Sequence, residues 1–292
     1  MKFDRMGIDM KKKIAVLIIV LFVLWNAFSL YASKYFLSCS FYTVQDERIE
    51  HPFRIVQLTD LHNSTFGEKN QKLVERVVQE APDIILITGD LINETEEDLN
   101  VATDLITSLS KYVPVYVSYG NHETNYEKKY GVNIKDIYEK AGAKVLNFEY
   151  EDIEVNGQKI RLGGVYGYCL GPKYAYMNED RKREIDFVKD FQDTDIYTVL
   201  MCHMPVTWII NNSLNEWDCD LVLCGHVHGG QIRFPFIGGL YAPDQGWFVG
   251  KEAGLYYSDD NTKIMCLSKG LGSNEKIPRF NNIPEITVID MK

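Results

Sequence analysis

From residue 53 onward, short apolar runs alternate with stretches whose apolar positions recur at helical spacing. That alternation is the mark of an α/β domain. Residues 53–58 (FRIVQL), 84–88 (IILIT) and 113–118 (VPVYVS) read as strands. Between and after them, residues 69–80, 96–110 and 134–141 read as amphipathic helices. In the middle of the chain, residues 149–155 and 159–165 flank Asn156-Gly157. That dipeptide supplies the two left-handed positions of a tight hairpin turn, so an antiparallel pair is expected. A helix over 180–191, a strand over 196–201, a short helix after Pro205 and a strand over 221–224 follow. Residues 229–250 are rich in Gly and aromatic side chains without clear periodicity, and a loop of that length usually serves a site. The end reads as antiparallel strands over 255–258 and 263–267 about the Asp260-Asn261 turn, with a last strand over 286–289.

The N-terminus departs from this pattern. Residues 14–33 (IAVLIIVLFVLWNAFSLYAS) carry no charge, and about 20 such residues cross a bilayer as a helix. Lys11, Lys12 and Lys13 precede the run, with Lys2 and Arg5 upstream. Clustered positive charge stays cytoplasmic, so the expected topology is a single-pass cell-membrane anchor with the remainder extracytoplasmic. A cleaved signal peptide is the alternative, because the densest apolar stretch is residues 14–25 and Ala32-Ser33 would suit cleavage; the mature chain would then be secreted. The domain plan is therefore a basic cytoplasmic tail (1–13), a transmembrane signal-anchor (14–33), a linker and first strand (34–52), and one catalytic domain (53–292).

Charge narrows the partners. The whole chain is at −10, and setting aside residues 1–13 leaves 26 basic against 39 acidic side chains. A domain so acidic offers no electrostatic footprint for nucleic acid, which is excluded as the main partner. The six cysteines form no C-x-x-C pair, so zinc-finger and thioredoxin readings fail. Cys202 and Cys224 lie in apolar runs, where the residue acts as a small buried hydrophobe.

Histidine carries the chemistry. There are six in 292 residues, and five fall in an ordered series: Asp60-Leu61-His62, Gly89-Asp90, Gly120-Asn121-His122, His203, and Gly225-His226-Val227-His228. Each motif follows an apolar strand, and ligands of open α/β sheets gather beyond the carboxyl ends of strands. Alone, an Asp-x-His or a Gly-Asp is a common turn. Together they supply seven candidate metal ligands: Asp60, His62, Asp90, Asn121, His203, His226 and His228. If His226 and His228 lie on an extended segment, their side chains point the same way about 6.5–7 Å apart. That suits one histidine on each of two ions about 3.5–4 Å apart. Imidazole, carboxylate and amide oxygen without thiolate suit Mn, Fe or Zn. A pair of such ions forms a clamp for in-line displacement at phosphorus.

The series Asp-x-His, Gly-Asp, Gly-Asn-His-Glu, His, Gly-His-x-His resembles the calcineurin-like metallophosphoesterases. The stretch Gly225 to Arg233 before Pro235, with Arg279-Phe280-Asn281 and Pro284-Glu285-Ile286, is similar to a membrane-associated bacterial branch, the YkuE/YaeI-like phosphodiesterases. The resemblance covers residues 53 to about 290 and implies a four-layer α/β/β/α sandwich. It implies that Asp60, His62, Asp90 and His228 hold one ion, that Asp90 bridges, and that Asn121, His203 and His226 complete the second. His122 matches the histidine that binds no metal and protonates the leaving group, a role suited to an imidazole. The implied reaction is hydrolysis of a phosphodiester or pyrophosphate by metal-bound hydroxide, with a phosphomonoesterase or a non-catalytic scaffold as alternatives. Location beside a membrane suggests a lipid or cell-envelope precursor as substrate. One departure stands out: relatives often read Gly-Asp-x-x-Asp, and here the last position is Asn93. The family residue there supports the ligands, so metal binding is expected to survive. Asn63, Glu123, Arg233 and Lys269 adjoin the motifs, either as substrate contacts or as ordinary loop polarity. His51 stands alone before Pro52 and carries nothing.

Overall fold

The computed structural model describes residues 2–174, 177–273 and 277–292. In chain order the elements are α1 (Lys2–Tyr35), β1 (Ser38–Val44), β2 (Phe53–Leu58), α2 (Gln71–Gln79), β3 (Ile84–Thr88), α3 (Asn100–Leu109), β4 (Val115–Ser118) and α4 (Asn121–Tyr130). Next come α5 (Ile134–Lys140), β5 (Lys144–Val145), β6 (Glu149–Val155), β7 (Gln158–Val165), α6 (Glu179–Phe191), β8 (Thr198–Cys202), α7 (Val206–Ile209), α8 (Ser213–Glu216) and β9 (Leu221–Cys224). Four two-residue strands follow, β10 (Arg233–Phe234), β11 (Gly238–Gly239), β12 (Tyr241–Ala242) and β13 (Gly246–Trp247). The last strands are β14 (Gly254–Tyr257), β15 (Ile264–Leu267) and β16 (Glu285–Met291).

Two mixed six-stranded sheets form, in the orders β1-β16-β2-β3-β4-β5 and β14-β15-β9-β8-β7-β6. Period-two side-chain alternation decides what each strand packs against. In β2 and β3, Ile55, Ile84 and Leu86 turn toward the second sheet, where they meet Val199, Met201, Leu221 and Leu223. Val56, Leu58, Ile85 and Ile87 turn the other way onto Leu73, Val77, Leu105 and Ile106 of α2 and α3. On the far side, Leu200 and Val222 pack on Ile185, Val188 and Phe191 of α6 and on Trp208 and Trp217. Three apolar seams separate four layers, which is the α/β/β/α sandwich that the resemblance implies.

The strand and hairpin expectations hold closely. Asn156 and Gly157 take φ of 50° and 83°, the paired left-handed residues of the turn joining β6 and β7. Two helix boundaries differ from expectation. The helix over 96–110 starts only at Asn100, because Glu96 instead accepts hydrogen bonds from Asn63 and Asn93 at 2.7 Å each. The helix over 69–80 starts at Gln71, because Lys69 and Asn70 are left-handed. Helix α4 is an addition. It has too few apolar residues to show a periodicity, and its signal is chemical: Gly120 caps it, Glu123 sits at the third helical position, and left-handed Gly131 ends it.

Helix α1 runs unbroken through the basic segment and the apolar run, and residues 10–35 are long and apolar enough to cross a membrane. Strand β1 then joins the edge of the first sheet, parallel to β16.

Both sheets depend on their shared seam, so its side chains should be the most costly to truncate. Leu86→Ala is expected to lose about 2–5 kcal/mol of unfolding free energy in denaturant titrations, while metal content of the folded protein stays unchanged.

Candidate metal centre

The centre sits where strands β2, β3, β8 and β9 end. Asp60 and His62 follow β2, Asp90 follows β3, Asn121 opens α4 after β4, His203 follows β8, and His226 and His228 follow β9. Six of the seven predicted ligands, together with His122, make three groups whose donor atoms lie within 4.8 Å of one another. These are Asp60 with His62 and His228, His62 with Asp90 and His122, and Asp90 with His203 and His226. The seventh, Asn121, stands between His122 and Gly120, whose backbone is packed against the Asp90 turn.

Backbone geometry makes this convergence possible. Asp60, His62, Asp90, His226 and His228 all take φ between 47° and 74°, a region uncommon for residues with a side chain. Five such residues in one cluster mark backbone strain held at a site. The left-handed turns at His226 and His228 also correct the expected extended segment. The two rings diverge, with His226 against His203 at 5.2 Å and His228 against His62 at 4.8 Å between centroids. His226 and His228 therefore fall in different donor groups, though not through the extended segment that the spacing argument assumed.

Hydrogen bonds set the tautomers. His203 Nδ1 faces the Thr88 carbonyl at 2.7 Å and His228 Nδ1 faces the Gly272 carbonyl at 3.3 Å. Carbonyls only accept, so both Nδ1 atoms carry the proton. His62 Nδ1 likewise donates to Asn93 Oδ1 at 3.1 Å, since the Asn93 amide nitrogen is turned to the His62 carbonyl. In each ring Nε2 is left facing the cluster, which is how partners of a ligating histidine orient it. Asn93 performs this role through its amide oxygen. His122 is the reverse case: its Nδ1 accepts the Glu94 backbone N–H at 3.1 Å, so its Nε2 keeps the proton. That Nε2 lies 4.0 Å from Asp90 Oδ2, and the side chain is 18% exposed where those of His62 and His203 are 1% and 0% exposed.

The donors fit a cation. Nε2 of His62, His203 and His226 and Oδ1 of Asn121 are buried without a hydrogen-bond partner. Unpaired buried polar atoms are costly, so four in one cluster indicate a site built for an electrophile. His203 Nε2 is 3.1 Å from Asp90 Oδ2, and without a cation the two form an ion pair in which, against burial, Asp90 pushes His203 up to about 10. The electrostatics agree. Burial pushes His62 down to about 3 and holds His228 well below the usual histidine range, so both are neutral ligand forms. Burial also works to raise both carboxylates; it prevails at Asp60, while His203 overrides it at Asp90 and holds that group low.

Two residues that the sequence did not reveal belong here. Asp244, in the aromatic loop, places Oδ2 3.2 Å from His226 Nε2, and Tyr168 donates to it at 3.3 Å. Arg279 is 4% exposed and donates to the carbonyls of Gly272, His228 and Lys269. Asp244 had no detectable signal, while Arg279 stood in a motif whose role was unread. Of the doubtful neighbours, Glu123 is structural: its carboxylate accepts the N–H groups of Asp90, Leu91 and Gly120 at 2.8–2.9 Å and the Tyr138 hydroxyl at 3.2 Å. Arg233 pairs with Glu252 at 2.7 Å and Lys269 with Glu285 at 2.9 Å, and Asn63 bonds Glu96. His51 is exposed and joins none of the three donor groups, and all six cysteines are free thiols.

The Calcineurin-like phosphoesterase family profile matches residues 53–230, and the chain belongs to that family. It is similar to the metallophosphoesterase YkuE of Bacillus subtilis (strain 168), at 27% identity over 90% of this chain and 88% of the relative. It is also similar to the phosphodiesterase YaeI of Escherichia coli (strain K12), at 25% identity over 82% of each. Among solved structures, the 5'-nucleotidase precursor of Thermus thermophilus aligns with a TM-score of 0.48 and 13% identity, over 75% of this chain and 49% of that one. The protein is thus a metallophosphoesterase, a hydrolase of phosphoester bonds whose family uses divalent metals.

Glu123 ties the Asp90 turn to α4 through both carboxylate oxygens. Glu123→Gln turns an amide NH₂ toward backbone N–H donors, and each donor so orphaned costs about 1–3 kcal/mol. The variant should unfold at lower denaturant and bind less metal by elemental analysis. Unchanged metal content would show that the turn holds without it.

Proposed function

We propose that the protein hydrolyses a phosphodiester-type bond with two divalent cations of the Mn, Fe or Zn kind. Asp60, His62 and His228 hold one, Asn121, His203 and His226 the other, and Asp90 lies between. The observation that carries this reading is the set of Nε2 and Oδ1 atoms buried without partners while the opposite ring nitrogens are tied to carbonyl oxygens. When bound, such a pair neutralises phosphate oxygens and makes water nucleophilic near neutral pH.

The protein's own groups do the remaining work. Thr88, Gly272 and Asn93 orient three imidazoles so that no rotation is needed when substrate arrives. The strained turns at Asp60 and Asp90 hold both carboxylates rigid, supported by N–H bonds from His226 at 3.0 Å and His122 at 2.9 Å. His122, with its proton on Nε2 and its side chain partly open to solvent, sits where a leaving oxygen can take that proton. A phosphomonoester would lack a second substituent on phosphorus but would otherwise meet the same groups, so the distinction belongs to the assay.

Full-length protein in detergent should hydrolyse bis(p-nitrophenyl) phosphate with added Mn and lose the activity to a chelator. Activity that survives the chelator, or turnover of p-nitrophenyl phosphate alone, would sink the diesterase reading. Asp90→Asn and His226→Ala are expected to abolish turnover together with metal content. His122→Ala should lower turnover by about 10²–10⁴-fold, the usual weight of general acid–base catalysis, with metal content intact. If His122→Ala empties the site, its assignment as proton donor is wrong.

A further inference from the structure

Helix α1 and the catalytic domain are joined at a defined depth. The backbone N–H of Asn281 donates to Ser29 Oγ at 2.8 Å, and that of Asn282 to Ser33 Oγ at 3.0 Å. Trp25 meets Phe280 edge to face at 5.8 Å. Ser29, Ala32 and Ser33 form one stripe of α1 that is only 2–5% exposed, whereas most of the apolar run lies bare. A spanning helix needs about 20 apolar residues, and the dense part of the run ends near residue 25. With the apolar run spanning a bilayer, Ser29 would lie within its outer boundary, about 6 Å deeper than Ser33 at 1.5 Å per residue. Residues 280–282, bonded at that level, would lie in the interface too.

Strand β10 is attached to the same place. The Arg233 N–H donates to the Phe280 carbonyl at 3.0 Å, and Asn281 Nδ2 to the Arg233 carbonyl at 3.3 Å. The chain beyond it presents Phe236, Ile237, Trp247 and Phe248 at 60% exposure or more. Four bare apolar side chains in so short a segment are a liability in water. Beside a spanning helix they are the residues that seat in a membrane interface. The paired ribbons β10–β11 and β12–β13 satisfy backbone groups internally, which such a location favours.

Between the end of α1 and the metal centre lies a cavity of 590 Å³ lined by Leu30, Lys34 and Tyr35 on the helix side. Asn63, Gly272 and Arg279 line its other side, and these adjoin His62 and His228. Arg279 is buried and faces the carboxylates of Asp60 and Glu285, so exposed Lys34 is the charge that favours an anion at the mouth.

We propose that residues 234–248 are seated among the lipids of the leaflet that α1 leaves, so that the metal centre faces the bilayer surface and takes its substrate from that leaflet. The occupant of the aromatic surface is lipid, and the substrate class is an amphiphilic phosphoester whose polar group enters past Lys34 and Arg279. The second clause rests on the phosphoesterase reading; the seating of the loop does not.

The test uses the full chain in lipid nanodiscs. In a Trp25→Phe background the remaining indoles are Trp208 and Trp217, both 1% exposed, and Trp247, at 68%. Lipid carrying a nitroxide near the headgroup should quench emission, and the further change Trp247→Phe should remove the quenchable fraction. Absence of quenching overturns the seating whether or not the protein is active. Next, Phe236→Ser/Phe248→Ser should slow hydrolysis of a phosphodiester lipid embedded in the disc while bis(p-nitrophenyl) phosphate is turned over as before. Equal loss on both substrates, or on neither, overturns delivery from the leaflet. Failure of the wild type on every phosphoester would instead overturn the enzyme reading and leave the quenching result standing.

Discussion

Two carboxylates and four imidazoles are buried in one cluster, and the rest of the molecule is arranged around that burden. Asp60, Asp90, His62 and His203 are 0–3% exposed, so bulk solvent compensates none of them. Burying an isolated carboxylate is prohibitive unless charge or hydrogen bonds offset the lost hydration. Five of the six are met on their outer side by the chain itself: His226 N–H on Asp60, His122 N–H on Asp90, Asn93 on the Nδ1 atom of His62, and carbonyls on the Nδ1 atoms of His203 and His228. What remains unmet points inward.

That arrangement explains the steric constraints nearby. Gly120 lies so close to the Asp90 turn that a Cβ would fall 2.1 Å from Asp90 Oδ1, and at Gly225 it would fall 2.1 Å from Thr59 Oγ1. Glycine is required at Gly120 because the turns after β3 and β4 of one sheet lie against each other, and at Gly225 because the turns after β2 and β9 meet between the two sheets. Gln57 reinforces the approach from below, with its amide bonded to Thr88 Oγ1 in one sheet and the Cys224 carbonyl in the other. The donor cluster is thus the place where the two sheets are stitched together, and its geometry follows from the packing of the seam beneath it.

The same centre is tied to α1 through few links. Asn282 Nδ2 donates to the His228 carbonyl at 2.7 Å, while the backbone N–H groups of Asn281 and Asn282 hold Ser29 and Ser33. A helix joined this closely to the site cannot act as a loose tether. The orientation of the site relative to α1 is set by two serine hydroxyls and one aromatic contact, small in energy but fixed in direction.

Much of this was legible in the sequence, and for physical reasons. Short continuous apolar runs reveal doubly buried strands such as residues 84–88, and 3.6-residue spacing reveals helices such as 134–141, because both patterns are local information. The ligand series was legible because the ends of parallel strands in one sheet share an edge, which groups Asp60 with Asp90 and His203 with His226; only the packing of the two sheets brings the two pairs together. Helix α4 escaped because its stability comes from Glu123 and its caps rather than from an apolar stripe. Asp244 escaped because only the path of an irregular loop brings it to His226. Which nitrogen of each histidine faces inward, why His122 differs from its neighbours, and how the domain sits against α1 were decided by tertiary structure alone. Each depends on a carbonyl, an N–H or a hydroxyl supplied from a distant part of the chain, and residue identity carries no record of such partners.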